Sequence, residues 1–302
     1  MSRRRRPPFQ RVAIVGVGLI GGSIGLATRR LLPGTRVVGI DRDPVLRRAR
    51  ARGALHEGTT RLSEGLRGAD LVVLALPVDG IVAILPRVAR HLPPGAVLTD
   101  VGSTKREIDR AARTLALGGR FVGGHPMAGS ERPGIDHADG RLFSRAAWVL
   151  CPTPRSAGPG ARRPPAGTPL RRLSRFVRRL GARPVLLRPA AHDRVVARLS
   201  HLPQLVSVAL TNAACRAEAR RHLHLSGPAL RQMSRLAASP PRLWAGILKS
   251  NRAAAERAID DVIGELVRLK RALPAGARSP FLRAARGRER LMETMRGGRA
   301  LG

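Results

Sequence analysis

An α/β architecture, a doubly wound and mostly parallel sheet followed by an all-helical domain, is predicted by three features of this 302-residue sequence. Short runs rich in valine, isoleucine and leucine alternate with helical stretches up to about residue 188. The runs are apolar almost throughout, without the polar alternation of a half-exposed strand, which suits strands buried on both faces. Beyond residue 188 no strand-like run is evident and the periodicity is helical.

The strand-like runs are RVAIVG (11–16), RVVGID (36–41), LVVLAL (71–76), VLTDV (97–101), FVGG (121–124), AWVLC (147–151) and PVLLR (184–188). Residues 153–169 are so rich in proline and glycine that a surface loop is expected, with an amphipathic helix after it at 170–181. From Ala190 to about Leu273 alanine-rich and leucine-rich helical faces recur, and Pro203, Pro228, Pro240 and Pro241 mark bends or breaks. The last residues, from Ser279, read as one short helix with a frayed end. Two domains are therefore expected, 10–188 and 189–302, in keeping with roughly 150 residues per domain.

Composition narrows the function classes. Hydrophobic residues form 43% of the chain, enough for a real core. No window reaches the roughly 18 apolar residues of a membrane span. The opening MSRRRRPP is basic like the start of a secretory signal, but the apolar stretch behind it runs into a glycine turn, so it is read as uncleaved. Cys151 and Cys215 stand in no metal-ligand spacing and form no disulfide framework, and a reduced, cytoplasmic protein is expected. The formal charge of +36 raises nucleic acid as a partner. Against it, lysine occurs only at 105, 249 and 270, the arginines are spread along the whole length, and aromatics at 2% leave few platforms for stacking bases. Neither a specific nucleic-acid partner nor a membrane is expected, and no metal.

Gly16-Val17-Gly18-Leu19-Ile20-Gly21 is a GxGxxG that directly follows an apolar strand and opens a helical stretch. The first glycine permits the tight turn, the second lets backbone amides approach a pyrophosphate, and the third lets helix and strand pack closely. Asp41 ends the second strand twenty residues beyond Gly21, placed to accept hydrogen bonds from an adenine-ribose diol and to repel a 2′-phosphate. NAD is expected over NADP, although the adjacent Arg42 could hold that phosphate. Leu76-Pro77-Val78, after the third strand, would pass the cofactor edge.

Ligands of such sheets bind beyond the carboxyl ends of the strands. His125, after the run FVGG and between glycines and a proline that suggest irregular backbone, is a candidate general base. Ser103 could orient it, donate to a substrate hydroxyl, or cap a helix beginning near Lys105. Asp100 and Lys105 read as capping and loop residues.

Taken in order, GVGLIGGS, LALPV, TDVGSTK, GGHPMAGSE, HDRVVARLSHLPQ and SRLAASPPRLW resemble the prephenate/arogenate dehydrogenase family, from about residue 11 to 272. The resemblance implies a dinucleotide-binding domain followed by an all-α dimerisation domain, a homodimer, and NAD-dependent oxidative decarboxylation of prephenate or arogenate in tyrosine biosynthesis. It further implies that His125 accepts a hydrogen bond from the substrate 4-hydroxyl, that Ser103 supports His125, and that Glu131 lies near the substrate side chain. His201 and Arg235 would bind substrate from the helical domain. Gln232 stands where the family often has aspartate, which bears on how Arg235 is positioned. Neither a mutase segment before the nucleotide domain nor a regulatory domain after the helical one is expected. Two other readings remain at this level: a dehydrogenase of a hydroxy acid or imine, and a basic, nucleotide-sensing binding protein without catalysis.

Overall fold

In the computed structural model, residues 6–129, 132–157, 165 and 167–300 are described. Glu131, the basic residues 1–5 and most of the expected loop (158–164 and 166) lie outside them. The chain divides into two units. The first runs through Asp193 and takes in Ser239–Ser250; the second holds Arg194–Ala238 and the residues from Asn251 on.

The first unit is one eight-stranded sheet of β1 (Arg11–Val15), β2 (Arg36–Ile40), β3 (Glu57–Thr59), β4 (Leu71–Leu74), β5 (Val97–Asp100), β6 (Phe121–Pro126), β7 (Ala147–Pro152) and β8 (Arg183–Leu186), ordered 3-2-1-4-5-6-7-8. Every neighbouring pair is parallel except β6 with β7. Its helices are α1 (Leu19–Leu31), α2 (Asp43–Ala51), α3 (Leu62–Leu66), α4 (Val78–His91), α5 (Arg106–Thr114), α6 (Pro154–Ala157) and α7 (Pro169–Arg179).

Alternate residues of β1, β2, β4, β5 and β6 enter opposite cores, as a period of two requires. Val12, Ile14, Val37, Leu71, Val73, Val122 and Leu150 pack on one face with Ile24 of α1 and Leu173 and Phe176 of α7. Ala13, Val15, Ile40, Val72, Leu74 and Leu98 pack on the other with Leu66 of α3, Ile81 and Leu85 of α4, and Ile108 of α5. Burial on both faces is why the runs of β1, β2 and β4 to β7 read as continuously apolar, while β8 is an exposed edge.

Three details depart from the sequence reading. β3 carries only Glu-Gly-Thr and no apolar run; it is held as an edge strand by pairing with β2 and by Glu57, which receives Arg11 at 3.1 Å and also pairs with Arg36. The hydrogen-bonding Arg36 guanidinium keeps the Glu57 carboxyl below its ordinary range. The loop expected from residue 153 starts instead with the short helix α6. His125 lies inside β6, opposite Val149 of β7, rather than in irregular backbone after it.

The later helices are α8 (Pro189–Val196), α9 (Leu202–Ala214), α10 (Pro228–Ser234), α11 (Pro241–Ser250), α12 (Arg252–Ala272) and α13 (Arg278–Ala300), with a π-helical turn at Ala197–His201 between α8 and α9. The last is a 23-residue helix where a short one was expected. No helix among the described residues is long and apolar enough to cross a membrane.

Cys151, in β7, is buried, and desolvation pushes its thiol up to about 12, whereas Cys215 is exposed. Since the thiolate is the reactive species, a disulfide reagent at neutral pH should titrate one thiol in the native protein, at Cys215, and two after unfolding in denaturant; rapid native reaction of both would contradict the placement of Cys151.

Candidate active site

β1 ends at Val15, and Gly16 turns the chain at φ +90°, a conformation glycine adopts without steric cost. Its N–H donates to the Ile40 carbonyl at 2.9 Å, and a Cβ there would collide with the Ala75 carbonyl. A Cβ at Gly21 would strike the Gly16 carbonyl oxygen, whereas one at Gly18 would meet nothing within 4 Å. The three glycines thus divide the work between a tight turn, an open approach and close helix-to-strand packing. α1 begins with no acidic side chain in its first turn and no side-chain cap, so its N-terminal amides suit an anion.

Asp41, just past β2, accepts from the Val17 N–H through Oδ2 and from the Arg42 N–H through Oδ1, both at 2.7 Å. Its carboxylate is thereby tied to the glycine turn. Gly18, Leu19 and Ile20 share a cavity of about 530 Å³ with Leu76, Pro77 and Val78 after β4 and with Val101, Gly102 and Ser103 after β5. Residues far apart in sequence are assembled on one side because their strands run parallel. The open Gly18, the uncapped helix start and the anchored Asp41 fit a dinucleotide.

Next to this edge lies a buried polar cluster. Lys105 is 1% exposed and its ammonium pairs with Asp100, itself fully buried, and donates to the Gly124 carbonyl at 2.7 Å. The other Asp100 contacts are the N–H groups of Gly102 (2.8 Å) and Gly124 (3.2 Å). Asp100 does organise its loop, but Lys105 is a core ion pair rather than a cap. Ser103 does not cap α5 either. That task falls to Asp193, whose Oδ1 accepts from the Lys105 N–H at 2.8 Å and whose Oδ2 accepts from the Arg106 N–H at 3.0 Å.

His125, next to Gly124 in β6, is joined to the same cluster. Its Nδ1 lies 2.9 Å from Nε2 of His192, and the Nδ1 of His192 lies 2.8 Å from Oδ1 of Asp193. His192 and Asp193 are both buried. The sequence reading assigned neither a role. The available signal was a His-Asp pair beginning a helix soon after the last strand, where polar residues need a reason to be buried.

In the second unit His201 is buried, with its Nδ1 3.4 Å from Nδ2 of Asn251. Arg235 follows α10, and the carbonyls around it are fixed from α9. Ser207 donates to Met233 and Gln204 to Leu236, each at 2.7 Å, and the Ala237 N–H donates to Ser207 at 3.1 Å. Gln232 is exposed on α10. His125 and Ser103 therefore belong to the first unit, and His201 and Arg235 to the second.

Removing one partner of a buried ion pair strands the other charge at a cost of about 3–5 kcal/mol. Lys105→Met should lower unfolding stability by that amount in urea titration, and a loss under about 1 kcal/mol would mean that Asp100 is accommodated without its ammonium.

Comparison with known proteins gives the same picture over both units. Residues 24–159 match the family model described as the prephenate dehydrogenase nucleotide-binding domain, and residues 188–296 match its dimerization domain. Prephenate dehydrogenase of Lactococcus lactis is 32% identical over 80% of this chain, which spans 65% of that protein's length. Prephenate dehydrogenase of Bacillus subtilis is 30% identical over 86% of this chain and 69% of its own. Among solved structures, Synechocystis arogenate dehydrogenase superposes with a TM-score of 0.74 at 30% identity, covering 96% of this chain and 99% of that one. A prephenate dehydrogenase from A. aeolicus, solved with hydroxyphenyl propionate and NAD+, gives 0.79 at 28% identity, covering 94% and 98%. The two family matches together span most of the chain, one over the sheet and one over the later helices, and the chain belongs to the prephenate dehydrogenase family.

Proposed function

We propose that this chain is an NAD-dependent dehydrogenase that oxidatively decarboxylates prephenate to 4-hydroxyphenylpyruvate, arogenate to tyrosine, or both, in tyrosine biosynthesis. The observation that carries the reading is a shared strand edge. The glycine turn follows β1, Asp41 follows β2, Leu76 follows β4, Ser103 follows β5, and His125 stands at the carboxyl end of β6, which pairs in parallel with β5. A cofactor on the turn and a substrate near His125 would share that edge, where ligands of such sheets bind.

Gly16, Gly18, Leu19, Ile20 and Gly21 would hold the pyrophosphate, Asp41 and Arg42 the adenine ribose, and Leu76, Pro77 and Val78 the far side of the dinucleotide. When bound, its nicotinamide supplies the hydride acceptor. His125 takes the proton of the substrate 4-hydroxyl as the carbon it is attached to gives up hydride and becomes a carbonyl. The bond to the ring carboxylate then breaks, carbon dioxide leaves, and the electron pair left behind makes the ring aromatic while the carbonyl oxygen regains a proton. Ser103 supports the hydroxyl end of the substrate. Glu131, His201 and Arg235 bind the remainder, a guanidinium suiting a carboxylate through two parallel bonds. Residues 10–188 would serve the cofactor, and 189–302 the substrate and a homodimer. Exposed apolar side chains of the second unit, among them Leu266, Phe281 and Met295, support a dimer. The two cysteines without a bridge and the NAD requirement fit the cytoplasm.

Purified protein should reduce NAD on addition of prephenate or arogenate; no turnover with either would refute the assignment. His125→Asn should still bind NAD while losing about 10²–10⁴-fold in kcat, the usual contribution of general-base catalysis. Asp41→Ala should raise KM for NAD about 10-fold or more, as the loss of hydrogen bonds to a charged group implies, and narrow the preference over NADP. An unchanged NAD:NADP ratio would remove Asp41 from cofactor choice. Light scattering should report twice the mass of one chain.

A further inference from the structure

We propose that His192 and Asp193 form a buried positioning chain that fixes which nitrogen of His125 receives the substrate proton, an inference that rests on His125 being the base. The direction of the chain follows from its anchored end. Both Asp193 oxygens face backbone N–H groups at the start of α5, at 2.8 Å from Lys105 and 3.0 Å from Arg106. A backbone N–H can only donate, so both oxygens act as acceptors, the pattern of an ionised carboxylate. Nδ1 of His192, 2.8 Å from Oδ1, therefore carries a hydrogen and donates it.

A neutral imidazole protonated on Nδ1 presents a lone pair on Nε2. That lone pair of His192 lies 2.9 Å from Nδ1 of His125, which must be the donor of this bond. The remaining nitrogen of His125, Nε2, is then the acceptor in the neutral ring, as proton abstraction requires. The opposite polarity would set two hydrogens or two lone pairs against each other somewhere along the chain. His192 is 0% exposed and Asp193 1% exposed, so bulk water offers neither a substitute partner.

The same chain serves the protonated ring. When His125 gains its second proton, the Nδ1–H bond to His192 persists and the new positive charge faces a carboxylate two hydrogen bonds away, in surroundings of low dielectric. The nearby Lys105 ammonium opposes this little, because Asp100 neutralises it. His192 and Asp193 touch no reacting atom in this scheme. They act through the tautomer and charge of His125, as the orienting carboxylate does in hydrolase triads.

The test is long-range ¹H–¹⁵N NMR of the whole protein labelled in histidine, without substrate, at a pH where the imidazoles are neutral. His125 and His192 should both appear as the Nδ1–H tautomer; an Nε2–H tautomer at His125 in the unmutated protein would overturn the proposal without recourse to any variant. Asp193→Asn should populate the other tautomer at both rings and lower kcat by about 10²-fold or more, with NAD affinity within about twofold. His192→Gln, which keeps an acceptor near the original Nε2, should recover much of the turnover lost in His192→Leu. Unchanged tautomers and kcat in Asp193→Asn, or equal losses in the two His192 variants, would count against the chain. If the unmutated enzyme turns over neither prephenate nor arogenate, the reaction assignment fails, while the tautomer measurement still decides whether the chain exists.

Discussion

The parallel pairing of β1 with β2 on one side and β4 on the other is the constraint on which the site depends. In register, Val15 lies beside Ile40 and Leu74. The Gly16 N–H then reaches the Ile40 carbonyl, and the Ala75 N–H reaches that of Val15. Three strands end together, so the turn after β1, the aspartate after β2 and the Leu-Pro-Val after β4 come to one edge. Had these strands been antiparallel, their polar ends would have been divided between two edges. The reversal of strand order at β1 and β4 opens the crevice that doubly wound sheets use for ligands.

Electrostatics separates into two regimes. The arginines sit mainly at the surface, and such pairs as they make there, Arg48 with Asp136 or Arg252 with Glu256, are each worth little in solvent. Among the described residues, the fully buried Asp100 and Lys105 pair with each other and Asp193 is held by hydrogen bonds, and all three also bond to the backbone. Asp100 answers Lys105 and two loop amides, and Asp193 answers the start of α5 and His192. Buried charges of this kind are costly unless every partner is present, so the cluster holds the end of β6, the start of α5 and the segment beginning α8 in one arrangement. A side chain joined to that cluster is fixed in orientation, which is what the base proposed at His125 would use.

Much of this was legible because it depended on local pattern. Seven of the eight strands announced themselves as apolar runs, six of them because burial on both faces leaves few polar positions, whereas Val185 and Leu186 of the edge strand β8 are exposed. β3 did not, because an edge strand of three residues needs only a neighbour's backbone. The glycine turn was readable because each glycine answers a short-range steric demand. The final helix was underestimated at the stretch rich in arginine and glycine near its end, where composition suggests fraying.

The sequence by itself determined the fold class and the glycine turn, which rest on periodicity and on short-range sterics, and it singled out Asp41 and His125 as candidates from their places at strand ends. Only the tertiary structure decided that Lys105 is a core ion pair, that α11 groups with the sheet, and that the cap of α5 comes from a carboxylate 88 residues away. It alone joined His125 to His192 across 67 positions. These contacts are set by how the strands and helices pack, and no local rule of spacing encodes a hydrogen bond between side chains that only the completed core brings within 3 Å.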